Sequence, residues 1–376
     1  MKPKGWKGNK FMLTVISVIV VLSLLVFVHE LGHFVVAKWA GVKVEEFGFG
    51  YPLPNGLLTI TLFKRGETVY TLNPIPFGGF TRMSGEEDPN AERSLASKSK
   101  LARIGVLSAG SVMNVLLGIV FFSLCFMLGW PEPVEFNNAI IERVISGSAA
   151  EQAGLKVGDI VIWADGEYID NPDELVAYTR QKLNQEMVLV VKRGGKIVQV
   201  RVTPSLDSDG VSRIGVSIIP GVTKIGLKIY PFGEAVLRGL EQTTGVIAFT
   251  FYIPVLLFRG LLSIEMARPI GPVGIAQLAS QAVQQSVETG WWFPILNLMA
   301  LLSIGLAVAN LLPLPAFDGG RIFFVIVEAI RGKRIDPEKE GAVHLIGLAF
   351  LLTLMIFITY QDITTPVDTP DWASLF

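Results

Sequence analysis

Long runs without acidic or basic side chains constrain this chain more than any other feature of its sequence. The run 11–37 contains one such residue, Glu30, and the runs 104–130 and 289–317 contain none. A further run, 341–361, contains none apart from His344. A helix needs about 20 apolar residues to cross a bilayer, so each of these runs is long enough. The sequence therefore predicts a polytopic α-helical membrane protein with four transmembrane helices. We expect the first to be a retained transmembrane helix, because it is too long for a signal-peptide core and no small-residue cleavage site follows it.

Another uncharged run, 242–258, has a different character. It contains Pro254 and ends at Arg259, and the residues before it, from Pro231, mix charged with apolar side chains. This pattern is typical of an amphipathic helix that lies in the membrane interface. We expect the whole segment 225–288 to be interfacial.

The composition agrees with a membrane protein and excludes several other classes. Hydrophobic residues make up 51% of the chain and charged residues 17%, whereas soluble domains contain about 25% charged residues. The 32 Lys and Arg residues against 33 Asp and Glu residues give a net charge of -1, so there is no basic surplus for nucleic acid. The single cysteine, Cys125, excludes an internal disulfide and a Cys-based metal or iron–sulfur site.

The segment between the first two apolar runs predicts β-structure. Residues 57–63 and 68–72 alternate in polarity on either side of a Lys-Arg-Gly-Glu turn at 64–67. This indicates a β-hairpin within the region 44–85, which belongs to a first domain at 1–130.

The segment between the second and third apolar runs predicts a soluble module at 136–206. It combines alternating strands, a helix pattern at 172–182 and a Gly-Gly turn, which together indicate an inserted α+β fold. The stretch AGLKVGDIV at 153–161 makes the module similar to a PDZ domain. Such domains bind extended peptides along an exposed strand edge.

The motif with the clearest chemistry is HExxH, from His29 to His33. On a helix, side chains four residues apart share a face, so the two imidazoles can bind one Zn²⁺. Glu30 is then placed to take a proton from a water activated by the metal. The alternative is a pair of core histidines, but ionisable groups inside a membrane span are costly and are functional by default.

Catalytic zinc takes three protein ligands and keeps one open position, so a third side chain is required. His344, the one other histidine, has an alternative role as an interfacial histidine. Asp318 follows Pro313 and Pro315 at the end of the third apolar run, and broken helices at membrane depth are tolerated where they line a cavity. Its alternative role is to cap a helix that begins at Gly319. We expect Asp318 to be the third ligand.

These motifs together resemble a known family. HExxH in the first span and NxxPxPxxDG at 310–319 are similar to the motifs of the intramembrane zinc metalloproteases of the site-2 protease family. The single PDZ-like module resembles the bacterial, anti-sigma-factor-cleaving branch, which includes regulator of sigma-E proteases. Other short segments resemble that branch's membrane re-entrant β-region, at Phe47–Gly50, Gly78–Phe80 and Ser84–Glu86, and its GxxxN motif, at Gly110–Asn114.

The resemblance implies roles for individual residues. His29, His33 and Asp318 would bind one Zn²⁺, with Glu30 as the catalytic base. Asn310 and Asn114 would contact the substrate or the transition state, although an asparagine in a span is also a common interhelical contact.

The resemblance also implies regulated intramembrane proteolysis. The substrate would be a single-span membrane protein that an upstream site-1-type protease has already trimmed, such as an anti-sigma factor or a signal-peptide remnant. Larger members of the branch carry two PDZ modules and this chain has one, so a paired PDZ gate is not carried over. The alternatives are a non-catalytic membrane scaffold, which would not need Glu30, and a transporter, whose internal repeats are missing.

Topology restricts this interpretation further. The zinc site can close only if HExxH and Asp318 lie at one membrane depth, so the segment 242–258 must not cross. Basic residues follow the first and third spans, and the positive-inside rule then places those loops in the cytoplasm of a bacterial cell and the PDZ-like module outside its membrane. Four lysines near the start of the chain argue for the opposite orientation, at Lys2, Lys4, Lys7 and Lys10.

Overall fold

The computed structural model describes residues 6–86, 88–206, 210–263, 265 and 267–367. Lys2 and Lys4, whose charges oppose the expected orientation, lie outside these residues, as does the stretch 368–376 at the end of the expected last domain, 289–376. The chain folds as two compact units: residues 131–228 form one, and the chain on either side of them forms the other.

The elements follow one another along the chain in this order: α1 (Trp6–Trp39), β1 (Val44–Tyr51), β2 (Ile60–Arg65), β3 (Thr68–Leu72), β4 (Ile75–Met83), α2 (Lys100–Leu128), β5 (Trp130–Val144), α3 (Ala149–Gln152), β6 (Ile160–Ala164), β7 (Glu167–Tyr168), α4 (Pro172–Gln181), β8 (Met187–Arg193), β9 (Lys196–Val202), β10 (Ser205–Leu206), β11 (Ser212–Arg213), β12 (Val216–Lys228), α5 (Phe232–Phe258), α6 (Pro272–Thr289), α7 (Phe293–Leu311), α8 (Asp318–Arg331) and α9 (Pro337–Thr364).

Five helices among the described residues are long and apolar enough to cross a membrane, so the chain is a multi-pass membrane protein. They are α1, α2, α5, α7 and α9. The sequence predicts four spans, and the additional candidate is α5, which includes the run 242–258. Charged side chains occur in the first half of α5, so the uncharged run 242–258 covers only part of the helix.

The helical unit has its core where α1, α2 and α7 meet. Leu25, Phe122 and Ile304 are almost fully buried there. Small residues bring the helices close together: a Cβ on Gly32 would lie 2.4 Å from the carbonyl oxygen of Ala109 in α2. Close backbone approach at small residues is the usual way for helices to pack in a membrane.

A four-stranded sheet lies between α1 and α2 in the chain, with the strand order β2-β3-β1-β4. The predicted hairpin is confirmed as the antiparallel pair β2 and β3. β4 runs along α1, where the Ser23 hydroxyl donates to the carbonyl of Pro76 at 2.6 Å. Gly78 has φ +67°, and a Cβ there would lie 2.3 Å from a methyl carbon of Val26, so only glycine permits this contact.

The other unit is an α+β module with the sheet order β12-β5-β6-β8-β9. Its core includes Ile141, Val161 and Leu189, all nearly fully buried. Ile214 is also buried in this core, and β12 forms an edge strand of the sheet. The packed unit therefore extends beyond residue 206, the boundary expected from the strand pattern.

Candidate metal centre

The two histidines of HExxH lie one turn apart on α1, as their spacing requires. His29 and His33 are 6% and 5% exposed, and their Nε2 atoms are 3.1 Å apart. The ring of His29 meets that of His33 edge-on. Both imidazoles therefore face one point inside the helical unit.

Asp318 reaches the same point from a distant part of the chain. α7 ends at Leu311, a short non-helical segment follows, and α8 begins at Asp318 itself. The Oδ2 atom of Asp318 lies 3.1 Å from Nε2 of His29 and 3.3 Å from Nε2 of His33. No side chain caps α8, so the carboxylate is directed at the histidines and not at the helix start.

The three side chains fit a zinc ion. Zinc bonds to imidazole nitrogen and carboxylate oxygen are about 2.0–2.2 Å long, so neighbouring ligand atoms of a tetrahedron are about 3.3–3.5 Å apart. The observed separations are 3.1, 3.1 and 3.3 Å. Among the described residues, these three side chains form the group of His, Cys, Asp or Glu whose ligand atoms lie close enough together to hold a metal ion.

The second ring nitrogen of each histidine also has a partner. Nδ1 of His33 lies 2.8 Å from the carbonyl oxygen of Val106, which accepts its hydrogen and leaves Nε2 available as a ligand. Nδ1 of His29 lies 3.3 Å from the amide nitrogen of Asn114. Since the two ends of an amide exchange places on a half-turn, Asn114 can present its oxygen to this nitrogen.

Gly110, one turn before Asn114 on α2, leaves the space that the imidazoles occupy. A Cβ there would lie 2.5 Å from Nε2 of His33 and 2.7 Å from Nε2 of His29. No side chain larger than hydrogen fits this position. Gly110 and Asn114 lie four residues apart and so share a helix face, which gives the GxxxN motif a structural reason.

The two remaining candidate residues also lie at the site. The amide nitrogen of Asn310 is 3.4 Å from Nε2 of His29. Glu30 is half-buried beside His29, and its main-chain carbonyl accepts a hydrogen bond from the Thr81 hydroxyl of β4 at 2.9 Å. His344 is not a member of the cluster.

Three contributions to the site were not predicted from the sequence: the carbonyl of Val106, the hydroxyl of Thr81 and the packing role of Gly110. For Gly110 the signal was present in its spacing from Asn114. A carbonyl oxygen and a strand hydroxyl carry no comparable signal.

An HExxH helix whose imidazoles meet a distant carboxylate, inside a bundle of apolar helices, defines a membrane-embedded metalloprotease. The model of peptidase family M50 matches residues 17–354. The chain belongs to this family, the site-2 proteases that its motifs resemble.

Relatives match over nearly their whole length. A putative zinc metalloprotease of Clostridium perfringens is 34% identical over 357 residues, which cover 94% of this chain and 99% of that protein. The regulator of sigma-W protease RasP of Bacillus subtilis is 30% identical over 439 aligned positions, with 94% and 99% covered. Among solved structures, the PDZ domain of an SdrC-like protein from Listeria monocytogenes is similar to 23% of this chain and 92% of its own, at 22% identity and a TM-score of 0.21. This similarity is too low to define the fold of the module, which is described by the order of its own strands.

Proposed function

We propose that this chain is an intramembrane zinc endopeptidase that hydrolyses a peptide bond within the span of a single-pass membrane protein. The observation that supports this most is the meeting of His29, His33 and Asp318 at ligand distances inside the helical unit. A bound Zn²⁺ supplies the chemistry of a Lewis acid, since it polarises a carbonyl and lowers the pKa of a water molecule.

Glu30 acts as the general base and then as the general acid. It follows His29 directly on α1 and is not one of the three clustered side chains. It takes a proton from the attacking water and delivers it to the leaving amine, as a positioned carboxylate does in this kind of hydrolysis. The hydrogen bond from Thr81 to its main-chain carbonyl fixes this part of α1 against β4.

Neighbouring residues hold the ligands in place. The Val106 carbonyl orients His33, and Asn114 orients His29, because a partner at Nδ1 selects the tautomer with a free Nε2. Asn310 lies near the end of α7, beside His29. From there its amide can contact a substrate carbonyl.

The substrate binds as an extended strand. A transmembrane helix hides its carbonyls in hydrogen bonds, so it must unwind before it can be cut. β4 is an edge strand of its sheet and contacts the HExxH helix through Thr81. An edge strand can pair with an extended peptide, so the region 44–85 acts as a re-entrant element that presents the unwound segment to Glu30.

Four helices cross the membrane: α1, α2, α7 and α9. The indole nitrogen of Trp291, just before α7, donates to the carbonyl of Gly129, just after α2, at 2.9 Å. α7 therefore starts at the end of the bundle where α2 stops, and the chain between them makes no net crossing.

The segment 229–292 returns to that end of the bundle. The start of α6 contacts the end of α9, where the main-chain N–H of Gly274 donates to the Asp362 carboxylate at 2.8 Å. The end of α6 contacts the start of α7, where the Ser286 hydroxyl accepts from the main-chain N–H of Ile295 at 3.3 Å. The described residues between α5 and α6 form neither helix nor strand, and irregular backbone facing lipid cannot cross a bilayer. α5 therefore packs against α2 without a separate crossing.

The name of one relative supports a substrate class. RasP of Bacillus subtilis is named a regulator of sigma-W protease. We assign to this chain an anti-sigma factor or a signal-peptide remnant, trimmed first by a site-1-type protease. The PDZ-like module lies outside the cytoplasm of a bacterial cell, in agreement with the basic loops after α1 and α8, and binds extended segments of the substrate.

Purified protein and a labelled single-span substrate in detergent test this function. Glu30→Gln should keep zinc and fold but lose cleavage by about 10³-fold or more, because it removes the base and no ligand. A chelator should abolish wild-type cleavage, and zinc should restore it. Turnover by Glu30→Gln close to that of the wild type would show that the reaction does not use this residue.

A further inference from the structure

His344 is the one histidine that the metal centre leaves unexplained. It lies on α9, and its side chain is 16% exposed. Its Nδ1 accepts a hydrogen bond of 2.9 Å from the main-chain N–H of Ala316. Ala316 lies two residues before Asp318, in the segment that carries this ligand from α7 to α8. His344 thus contacts the chain that positions the third ligand.

The conformation of Ala316 needs support from its surroundings. Its φ is +71°, in the left-handed region. An L-residue with a Cβ pays a steric cost in this region, and alanine has no polar side chain to bond locally, as Asn and Asp do. Such a conformation persists when neighbouring groups fix it. The imidazole of His344 bonds the main-chain N–H of this very residue.

α9 makes a second contact on the same segment. Gly347 lies one turn after His344, and a Cβ there would be 2.0 Å from Cβ of Pro315. The backbone of α9 therefore lies directly on the residue before Ala316. After the turn, a Cβ on Gly320 in α8 would lie 3.3 Å from Cε1 of His344. α9 therefore contacts the chain both before and after Asp318.

The ring of His344 is itself held in orientation. Because Nδ1 accepts the hydrogen of Ala316, the ring proton is on Nε2, which lies 3.9 Å from a carboxylate oxygen of Glu340 one turn earlier on α9. The ring of Phe324 in α8 packs against it at 5.5 Å between centroids. The contact with Phe324 limits rotation of the imidazole away from Ala316.

We propose that His344 is a positioning residue, which holds Ala316 in its left-handed turn and so directs Asp318 towards His29 and His33. This inference rests on the proposed function, in which Asp318 is a ligand. It gives α9, which contributes no side chain to the metal cluster, a defined part in building the centre.

Substitutions at position 344 test the hydrogen bond separately from packing. In His344→Asn the amide oxygen occupies the place of Nδ1 and keeps the acceptor, whereas His344→Leu removes it. We expect His344→Leu to bind zinc about tenfold more weakly in a chelator competition, since the N–H of Ala316 loses its acceptor and the left-handed turn before Asp318 loses its support. His344→Asn should stay close to wild type. Leu345→Ala, at an exposed neighbouring position on α9, is the matched control and should be unchanged.

A second variant keeps the test decisive if His344→Leu is poorly folded. Glycine adopts a positive φ without steric cost, so Ala316→Gly should restore most of the zinc affinity and most of the kcat to His344→Leu. Zinc binding by His344→Leu equal to that of wild type would overturn the proposal, as would equal losses in His344→Leu and His344→Asn or a failure of Ala316→Gly to rescue. Asp318→Ala separates the ligand role of Asp318 from the positioning role of His344. If Asp318→Ala keeps zinc, the proposed ligand set is wrong. If Asp318→Ala loses zinc but His344→Leu does not, only the positioning role is refuted.

Discussion

Gly110→Ala is expected to weaken zinc binding at the metal centre strongly while the rest of the protein stays folded. The new Cβ would lie 2.5 Å from Nε2 of His33 and 2.7 Å from Nε2 of His29. An ordinary contact distance is about 3.5 Å, so each ring would have to retreat by about 1 Å. Metal ligands keep their distances within about 0.2 Å, and this displacement is several times larger.

The size of the effect follows from that displacement. Changes outside the ligands that disturb their orientation cost about 10–100-fold in metal affinity, and here both imidazoles move. We expect a loss of about 100-fold in zinc affinity, equivalent to about 2.7 kcal/mol, and a matching loss of cleavage at limiting zinc. Overpacking of the helix interface adds about 1–3 kcal/mol of destabilisation.

The assay is zinc content after a graded chelator challenge, read beside thermal unfolding. Gly105→Ala is the matched control, because this glycine lies on the same helix and a Cβ there would meet nothing within 4 Å. The control should keep zinc and be slightly more stable, since alanine favours a helix. If Gly110→Ala holds zinc as firmly as Gly105→Ala does, the histidines do not meet the metal beside this part of α2.

Three further predictions address the third ligand, the module and the topology. Asp318→Ala should lower both zinc occupancy and cleavage, and unchanged zinc binding would assign the third ligand to another residue. Replacement of 131–228 by a short flexible linker should leave zinc binding intact but alter substrate selection, and a folded but zinc-free product would contradict it. Cysteines placed at Arg238 and Arg259, in a Cys125→Ala background, should both react with an impermeant thiol reagent outside intact cells. Labelling of position 259 from the cytoplasm alone would mean that α5 crosses.

The deletion is feasible because the chain leaves and re-enters the helical unit at neighbouring points. The main-chain N–H of Tyr230 donates to the carbonyl of Phe126 at 3.0 Å. A linker of a few residues can therefore join the two ends without strain.

Local spacing explains what the sequence predicts well. His29 and His33 share a helix face because four residues make about one turn, and the hairpin of β2 and β3 follows from alternation on either side of a short turn. Both depend only on residues near each other in the chain. A carboxylate at the end of an uncharged run, together with the need for a third ligand, indicates Asp318 as a candidate, but its meeting with the histidines is a long-range contact.

Long-range packing explains what the sequence does not predict. β1 pairs with β3 in parallel and with β4 in antiparallel orientation, and no local pattern specifies such partners. The charged first half of α5 conceals its length, and its position along α2 depends on close contact at Gly239, where a Cβ would lie 2.4 Å from the Ser123 hydroxyl. The role of His344 also appears only when α9 is placed beside Ala316.

The central claim is that peptide-bond hydrolysis takes place inside the membrane at the metal centre. The most direct measurement is the position of the cut in a single-span substrate, determined by mass spectrometry of both products after incubation with the zinc-loaded protein. We expect one main cut within the apolar span, which is absent with Glu30→Gln and after zinc removal. A cut in the soluble part of the substrate, or the same cut made by Glu30→Gln, would contradict it.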